Sequence, residues 1–306
     1  MNALARSDAR DLREGGAWTR AQALKNDVIW GAARSAIAAF GAVPRAWLRP
    51  LGRAAGALAY AIFADARRTA LANVARAIPD LDADARRALV RRAYDALGGW
   101  LGEALGLLHG ELPMLPLDDA ARDVFARARA SGRGVVFASA HLGPWERVAG
   151  ALVAAGVPLT TIARDAYDPR FTALYDRVRA RQGVRSIYRG APGAAARIVR
   201  TLRGGGVLGV PMDLRSRVPS IDAPFLGHAA PTPVGPARIA LRTGAAVVVG
   251  SAAPDGARLV VTATEIPTND LAADAELDLT TRINDELSRR ILAFPEGWVW
   301  MHRRFD

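Results

Sequence analysis

The sequence contains no cysteine and few histidines, and both shortages exclude kinds of chemistry. Without cysteine the chain has no disulfide, no thiol nucleophile and no thiolate metal ligand. Its four histidines lie far apart and form no His-Glu-x-x-His pair, so we expect neither a metal nor a bound cofactor. The N-terminus is charged and polar rather than a basic tip followed by an apolar run, so we expect no secretion signal.

Long uncharged apolar runs are also missing. None reaches the roughly 18 residues that a membrane-spanning helix needs. Residues 28–64 are nevertheless broadly apolar, and Pro50 should bend or restart any helix there. Arginines recur every four residues opposite Trp47, at Arg45, Arg49 and Arg53. This pattern fits a helix lying in a membrane interface, and it fits a core helix with solvated arginines equally well.

The positive charge comes almost wholly from arginine. The formal net charge is +11, and Lys25 is the only lysine. An arginine-rich surface can meet nucleic acid, anionic lipid headgroups or an acidic protein, and compositional bias alone would also produce it. Charge therefore leaves several classes of partner open.

The organisation changes along the chain. We interpret residues 1–27 as a polar tail, 28–114 as a helical membrane-associating region and 115–306 as an α/β domain. Apolar spacing predicts a helix over 82–109. The later part alternates helical stretches with strand candidates at 134–140, 158–163, 185–188, 206–213, 245–252 and 258–265. This alternation predicts a mostly parallel central sheet flanked by helices, with functional residues at the carboxyl ends of strands.

The stretch "SAHLGPWERV", residues 139–148, brings a histidine and a carboxylate together. His141 follows the first predicted strand, and Pro144 is suited to start a helix that carries Glu146 in its first turn. A carboxylate that accepts from one ring nitrogen leaves the other free to take a proton, as a general base requires. We therefore predict a His141–Glu146 dyad.

Simpler explanations exist for both residues. A histidine at a strand end can bond a neighbouring backbone group, and a first-turn glutamate is favoured by the helix dipole in any case. Ser139 raises the possibility of a hydrolase triad, but no Gly-x-Ser-x-Gly elbow occurs in the chain.

The stretch "HLGPWE" resembles the first block of glycerolipid-type acyltransferases, in particular the late acyltransferases of lipid A biosynthesis. Further resemblance follows in order along roughly residues 28–306: "IARDAYDPRFTALYDRVRARQG", "LRGGGVLGVPMD", "APFLGHAAPTPVGPARIALRTGAAVV" and "PEGWVWMHRRFD".

The resemblance implies roles for individual residues. His141 would be the general base that activates an acceptor hydroxyl, and Glu146 would orient it. Arg164 would hold a phosphate or the developing oxyanion. The remaining positions would shape the acyl and acceptor sites: Asp213, Phe225, Gly227 and Thr232.

The expected function is acyl transfer from an acyl carrier protein thioester to a lipid A precursor or a related anionic glycolipid. We expect a peripheral or monotopic protein on the cytoplasmic face of a bacterial inner membrane, with no nucleic acid partner. Two alternatives remain. One is another lipid acceptor, such as a phosphatidylinositol mannoside or an ornithine lipid, and the other is a non-catalytic arginine-rich membrane-binding protein.

Overall fold

The N-terminal part of the chain is helical. The computed structural model describes residues 16–110 and 112–305. Thr19 forms a capping box with Gln22, and the helix begins inside the stretch interpreted as a polar tail, of which residues 1–15 lie outside the described residues. Asp82 caps the fourth helix through the backbone N–H of Ala85. The four helices are α1 (Arg20–Ala42), α2 (Arg45–Ile62), α3 (Ala64–Ala77) and α4 (Ala83–Gly106).

Glycines allow α2 and α4 to touch along their backbones. A Cβ added at Gly98 would lie 2.3 Å from the carbonyl oxygen of Gly52, so no larger residue fits without moving a helix. Of the two outcomes expected at Pro50, a bend or a restart, the restart does not occur, because α2 continues through this residue. Pro50 is the sixth residue of α2, so it removes one backbone hydrogen bond near the helix start.

The second part of the chain carries the sheets. Its helices and strands are α5 (Asp119–Ala130), β1 (Val135–Ser139), α6 (Trp145–Ala154), β2 (Leu159–Ala163), α7 (Pro169–Arg181), β3 (Arg185–Tyr188), α8 (Ala194–Arg203), β4 (Val207–Pro211), β5 (Ser220–Phe225), β6 (His228–Pro233), α9 (Gly235–Thr243), β7 (Ala246–Asp255), β8 (Arg258–Ile266) and α10 (Ala275–Ala293). A short 3₁₀ turn, Pro295–Gly297, follows.

The central sheet has the strand order β3-β2-β4-β1-β7-β8. All its pairings are parallel except that of β7 with β8, so the predicted mostly parallel sheet is confirmed. Each predicted strand lies within a few residues of an observed one. The antiparallel β5–β6 hairpin was not predicted, because its strands contain several prolines, which are unfavourable in strands.

Both faces of the central sheet are covered. Alternate β1 residues point to opposite sides: Val136 and Ala138 belong to one hydrophobic cluster, and Val135 and Phe137 to the other. The first cluster also contains buried residues of α3, α4, α9 and α10, so the N-terminal helices share a core with the sheet.

Large apolar side chains are exposed on α1 and α2. Among the described residues no helix is both long and apolar enough to span a membrane. The exposed side chains on these two helices are Leu24, Val28, Ile29, Trp47, Leu51, Leu58 and Ile62. Exposure of several large apolar side chains on neighbouring helices is typical of an interaction surface.

Candidate active site

Two neighbouring parallel strands bring a histidine and an aspartate together. The register of β1 and β4 pairs Ser139 with Pro211. His141 and Asp213 each follow their strand's last paired residue by two positions, so they leave the carboxyl edge of the sheet side by side. The backbone N–H of Met212 donates to the carbonyl of Ser139 at 3.1 Å and continues the pairing to this point.

Asp213 accepts three hydrogen bonds in a fully buried position. The ring Nδ1 of His141 lies 2.9 Å from Oδ1, and the backbone N–H of His141 donates to Oδ2 at 2.9 Å. The indole Nε1–H of Trp298 also donates to Oδ2, at 2.8 Å. Buried carboxylates are stable when their oxygens are satisfied in this way, so Asp213 is held rigidly.

Each member of the pair stabilises the charged form of the other. Burial alone would lower the pKa of His141, but the charge of Asp213 and the hydrogen bond to it outweigh burial and raise the pKa above its ordinary value. Burial alone would raise the pKa of Asp213, but the charge and hydrogen bonds of His141, together with the bond from Trp298, lower it.

The pairing fixes the tautomer of the imidazole. An ionised carboxylate only accepts hydrogen bonds, so Nδ1 of His141 carries the hydrogen and Nε2 of the neutral ring is left as the acceptor. Nε2 makes no hydrogen bond to a described residue. The ring of Trp145 packs edge-on against the imidazole at 5.1 Å between centroids and restricts its rotation. This arrangement can take a proton at Nε2.

The predicted hydrogen bond between Glu146 and His141 is absent, and this expectation is corrected. Glu146 lies in the first turn of α6, as predicted, but its carboxylate binds Arg179 of α7 at 2.9 and 3.3 Å. The guanidinium offers two donors to the carboxylate, so the pair is bidentate. Glu146 contributes only a charge that helps to raise the pKa of His141, and Asp213, which sequence reasoning assigned to substrate binding, is the orienting carboxylate.

A groove of about 700 Å³ begins at His141. Its apolar lining comes from the sheet, α8, α9 and the segment after β4, and includes Ile162, Ile187, Ile198, Val210, Leu214 and Ile239. The groove is also lined by five arginines: Arg164, Arg179, Arg189, Arg215 and Arg238. An apolar groove with basic groups suits a ligand that has both a hydrocarbon part and an anionic part.

Two of these arginines lie close together. Burial lowers the pKa of Arg189, and the positive charge of Arg164 lowers it further. Both side chains line the groove, and guanidinium groups bind phosphates and carboxylates. Arg164 lines the groove that His141 also lines, and its role in holding a phosphate or the oxyanion stays a prediction.

Three other predicted substrate-binding residues do not line the groove. Phe225 is buried against Trp298, with ring centroids 5.7 Å apart. Thr232 is buried and bonded to Asn284 at 3.0 Å. Gly227 forms the exposed turn of the β5–β6 hairpin with a φ of +80°. Phe225 and Thr232 therefore attach the hairpin to the C-terminal segment and to α10, and Gly227 forms its turn.

The loop after His141 is held by the C-terminal segment. The N–H of Gly143 donates to the carbonyl of Gly297 at 2.9 Å, and Leu142 bridges to Trp298. A Cβ at Gly143 would lie 2.8 Å from that of Ala252, and its φ is +69°, so the turn requires glycine. Trp298 was not predicted as a site residue. Its only sequence signal was the alternation in "WVWMHRR", which was compatible with a strand or with tryptophans at an interface.

Ser139 and the remaining histidines show no sign of a second centre. Ser139 makes no hydrogen bond to His141 in the described part of the chain. Residues 16–110 and 112–305 contain no group of three or more His, Asp or Glu side chains that could hold a metal ion.

A histidine–carboxylate pair at the carboxyl edge of a parallel sheet, open to a groove, is a frequent active-site arrangement among α/β enzymes. A model of the bacterial lipid A biosynthesis acyltransferase family matches residues 20–306, and the chain belongs to this family. Comparison with curated proteins gave no significant sequence match. Family membership confirms the resemblance seen in the sequence and supports an acyltransferase, but it does not define the donor, the acceptor or the residue roles.

Proposed function

We propose that this protein transfers a fatty acyl chain from an acyl carrier protein thioester to a hydroxyl of a lipid A precursor or a related anionic glycolipid, with His141 as the general base. The observation that carries the proposal is the hydrogen bond from Nδ1 of His141 to buried Asp213 beside the groove. That bond leaves Nε2 as the proton acceptor.

The reaction balances without a covalent enzyme intermediate. Nε2 of His141 takes the hydroxyl proton as the acceptor oxygen attacks the thioester carbonyl. The new ester C–O bond forms, the C–S bond breaks, and the leaving thiolate takes the proton from the imidazolium. Asp213 stabilises the imidazolium and keeps the ring oriented, as the carboxylate of a Ser-His-Asp triad does.

The groove supports the choice of an anionic lipid as the acceptor. Its apolar lining suits hydrocarbon, and the adjacent Arg164 and Arg189 suit a phosphate, which either side chain can bind in bidentate fashion. Arg164 could equally stabilise the developing oxyanion.

The exposed apolar side chains of α1 and α2, together with the net charge of +11, support a peripheral or monotopic location on the cytoplasmic face of a bacterial inner membrane. The same positive charge is suited to binding an acidic acyl carrier protein, which carries the acyl chain in the proposed donor. The expectation that the chain has no nucleic acid partner and needs no cofactor belongs to this proposal.

The deciding experiment measures acyl transfer from labelled acyl carrier protein and acyl coenzyme A donors to a phosphorylated lipid A precursor. Wild type and His141→Ala are compared at equal protein level. We expect transfer that His141→Ala abolishes, and we expect Ser139→Ala to retain it.

Three outcomes would contradict parts of the proposal. Transfer that persists in His141→Ala would show that His141 is not the general base. Release of free fatty acid that needs no acceptor but requires Ser139 would indicate a hydrolase. Transfer only to a phosphatidylinositol mannoside or an ornithine lipid would mean that the acceptor is not a lipid A precursor. In contrast to these three, membrane binding with no transfer to any lipid would favour a non-catalytic binding protein.

A further inference from the structure

A second large cavity lies between the N-terminal helices and the β7–β8 turn. This arginine cleft has a volume of about 810 Å³ and shares no lining residue with the groove at His141. Its walls come from α2, α4, the segment 112–116, α6, the turn between β7 and β8, and the residues that follow α10. A volume in this range is typical of a site for a small ligand or a lipid headgroup.

The cleft has an excess of positive charge. Three acidic residues line it, Asp95, Glu103 and Glu296, and the arginines outnumber them: Arg45, Arg49, Arg53, Arg92, Arg147 and Arg258. Glu103 is already engaged, since it pairs with Arg147 at 2.7 Å and with Arg49 at 3.6 Å.

Four of the arginines have no carboxylate partner among the described residues. Arg45, Arg53, Arg92 and Arg258 are exposed and form no ion pair with any residue in the described ranges. They reach the cleft from three separate elements, α2, α4 and the start of β8. Convergent guanidinium groups without carboxylate partners raise the local positive potential and attract an anion.

Apolar side chains also line the cleft. Met114 lines it and is 48% exposed, and Trp100 and Phe294 form part of its wall. An anionic headgroup attached to hydrocarbon matches this combination of arginines and apolar wall.

We propose that the arginine cleft binds the phosphate headgroup of an anionic membrane lipid, at a site separate from the groove where acyl transfer is proposed. The recognised chemistry is a phosphate ester held by guanidinium groups, with the lipid's hydrocarbon beside the exposed side chain of Met114. Its test measures binding rather than turnover, so its failure would leave the proposed acyl transfer untouched.

The experiment compares the purified full chain with two charge-matched double variants. Arg53→Gln/Arg92→Gln removes two cleft arginines. Arg200→Gln/Arg203→Gln removes two exposed arginines from the last turn of α8, which line neither the cleft nor the groove. Co-sedimentation with phosphatidylcholine vesicles, with and without phosphatidylglycerol, gives the vesicle affinity, and calorimetry with inorganic pyrophosphate gives the affinity for free phosphate groups.

We expect the cleft variant to bind phosphatidylglycerol vesicles about tenfold more weakly and the α8 variant to change by less than about threefold. Pyrophosphate should bind wild type and weaken in the cleft variant alone. Unchanged thermal unfolding and unchanged acyl transfer to a water-soluble acceptor serve as folding controls.

The other outcomes overturn the proposal. Equal losses in the two variants would mean that vesicle binding follows total charge. A loss of pyrophosphate binding without any loss of vesicle binding would assign the cleft to a soluble phosphate compound. Binding of an acidic acyl carrier protein that depends on Arg53 and Arg92, with vesicle binding unchanged, would assign the cleft to a protein.

Discussion

At the scale of single residues, the two carboxylates near His141 are distinguished by their partners. Asp213 is bonded to the imidazole, whereas Glu146 is bonded to Arg179. Asp213→Asn keeps the side-chain shape but can offer Nδ1 an amide N–H, which favours the wrong tautomer. We expect the kcat of acyl transfer to fall about 10²- to 10⁴-fold. Glu146→Gln should reduce kcat by less than about tenfold, because it leaves the imidazole's hydrogen bond intact.

Steady-state kinetics of both variants, with circular dichroism to establish that they fold, make this comparison. A larger loss of kcat in Glu146→Gln than in Asp213→Asn would identify Glu146 as the orienting carboxylate. A similar, small loss in both variants would mean that neither carboxylate positions the base.

The raised pKa of His141 predicts the direction of the pH dependence. The base is active when neutral, so the rate rises with pH and levels off once the pH exceeds the pKa of His141 in the folded protein. That pKa lies above the ordinary 6.5, since Asp213 stabilises the imidazolium. Asp213 has a lowered pKa and stays ionised throughout this range.

The measurement is a profile of kcat/KM against pH for wild type and for Asp213→Asn. We expect the acidic limb of wild type to have its midpoint above 6.5 and that of the residual activity of Asp213→Asn to move to lower pH. A midpoint that does not move would show that the carboxylate has no influence on the group being titrated.

Sequence reasoning predicted a carboxylate partner for His141 but chose Glu146, whereas the structure pairs the ring with Asp213, and the difference has a physical reason. Glu146 is five residues from His141 and could reach it across a short turn, whereas Asp213 is separated from it by 72 residues. Both strands, β1 and β4, were predicted, and both polar residues lie at the strand ends where a site is expected. What the sequence does not contain is the strand order, since the adjacency of β1 and β4 results from packing of the whole sheet.

At the scale of elements, the contact of α2 with α4 depends on glycine. Gly98→Leu would drive a side chain into the backbone of Gly52 and Gly56, and we expect a loss of about 3 kcal/mol in the free energy of unfolding. Gly31→Ala in α1 is the matched control. A Cβ at Gly31 has no neighbour within 4 Å, so the higher helix propensity of alanine should be neutral or stabilise by up to about 1 kcal/mol.

Urea denaturation of the two variants measures both changes. Equal stability of Gly98→Leu and wild type would show that the two helices can separate without cost, which is incompatible with their close backbone approach.

Elements with strong periodicity were predicted within a few residues, and the element that was missed has a local explanation. The strands β5 and β6 contain Pro224, Pro231 and Pro233, so their sequences are unfavourable for strands. Their stability comes from tertiary contacts: Asn284 of α10 donates to the carbonyl of Pro224 at 2.8 Å. Buried Arg304 likewise donates to the carbonyl of Pro231 at 2.6 Å. Such long-range contacts are not visible in local patterns.

At the scale of the whole molecule, the charge of +11 and the exposed apolar side chains of α1 and α2 predict how salt should affect binding to anionic vesicles. Salt screens the attraction between exposed arginines and anionic lipid, while apolar insertion depends on salt much less. Raising the salt concentration from about 0.05 M to about 0.5 M should therefore weaken binding to phosphatidylglycerol vesicles by about tenfold or more without abolishing it.

Flotation of protein with vesicles across this salt range is the measurement, and Leu58→Ser/Ile62→Ser supplies the comparison. Both side chains are more than half exposed on α2, so their replacement should leave the core intact. The variant should lose the binding that remains at high salt but keep the salt-sensitive part, because its arginines are unchanged. Binding that resists salt in wild type and in the variant alike would require an anchor other than these side chains, and the surface proposed for α1 and α2 would then be wrong.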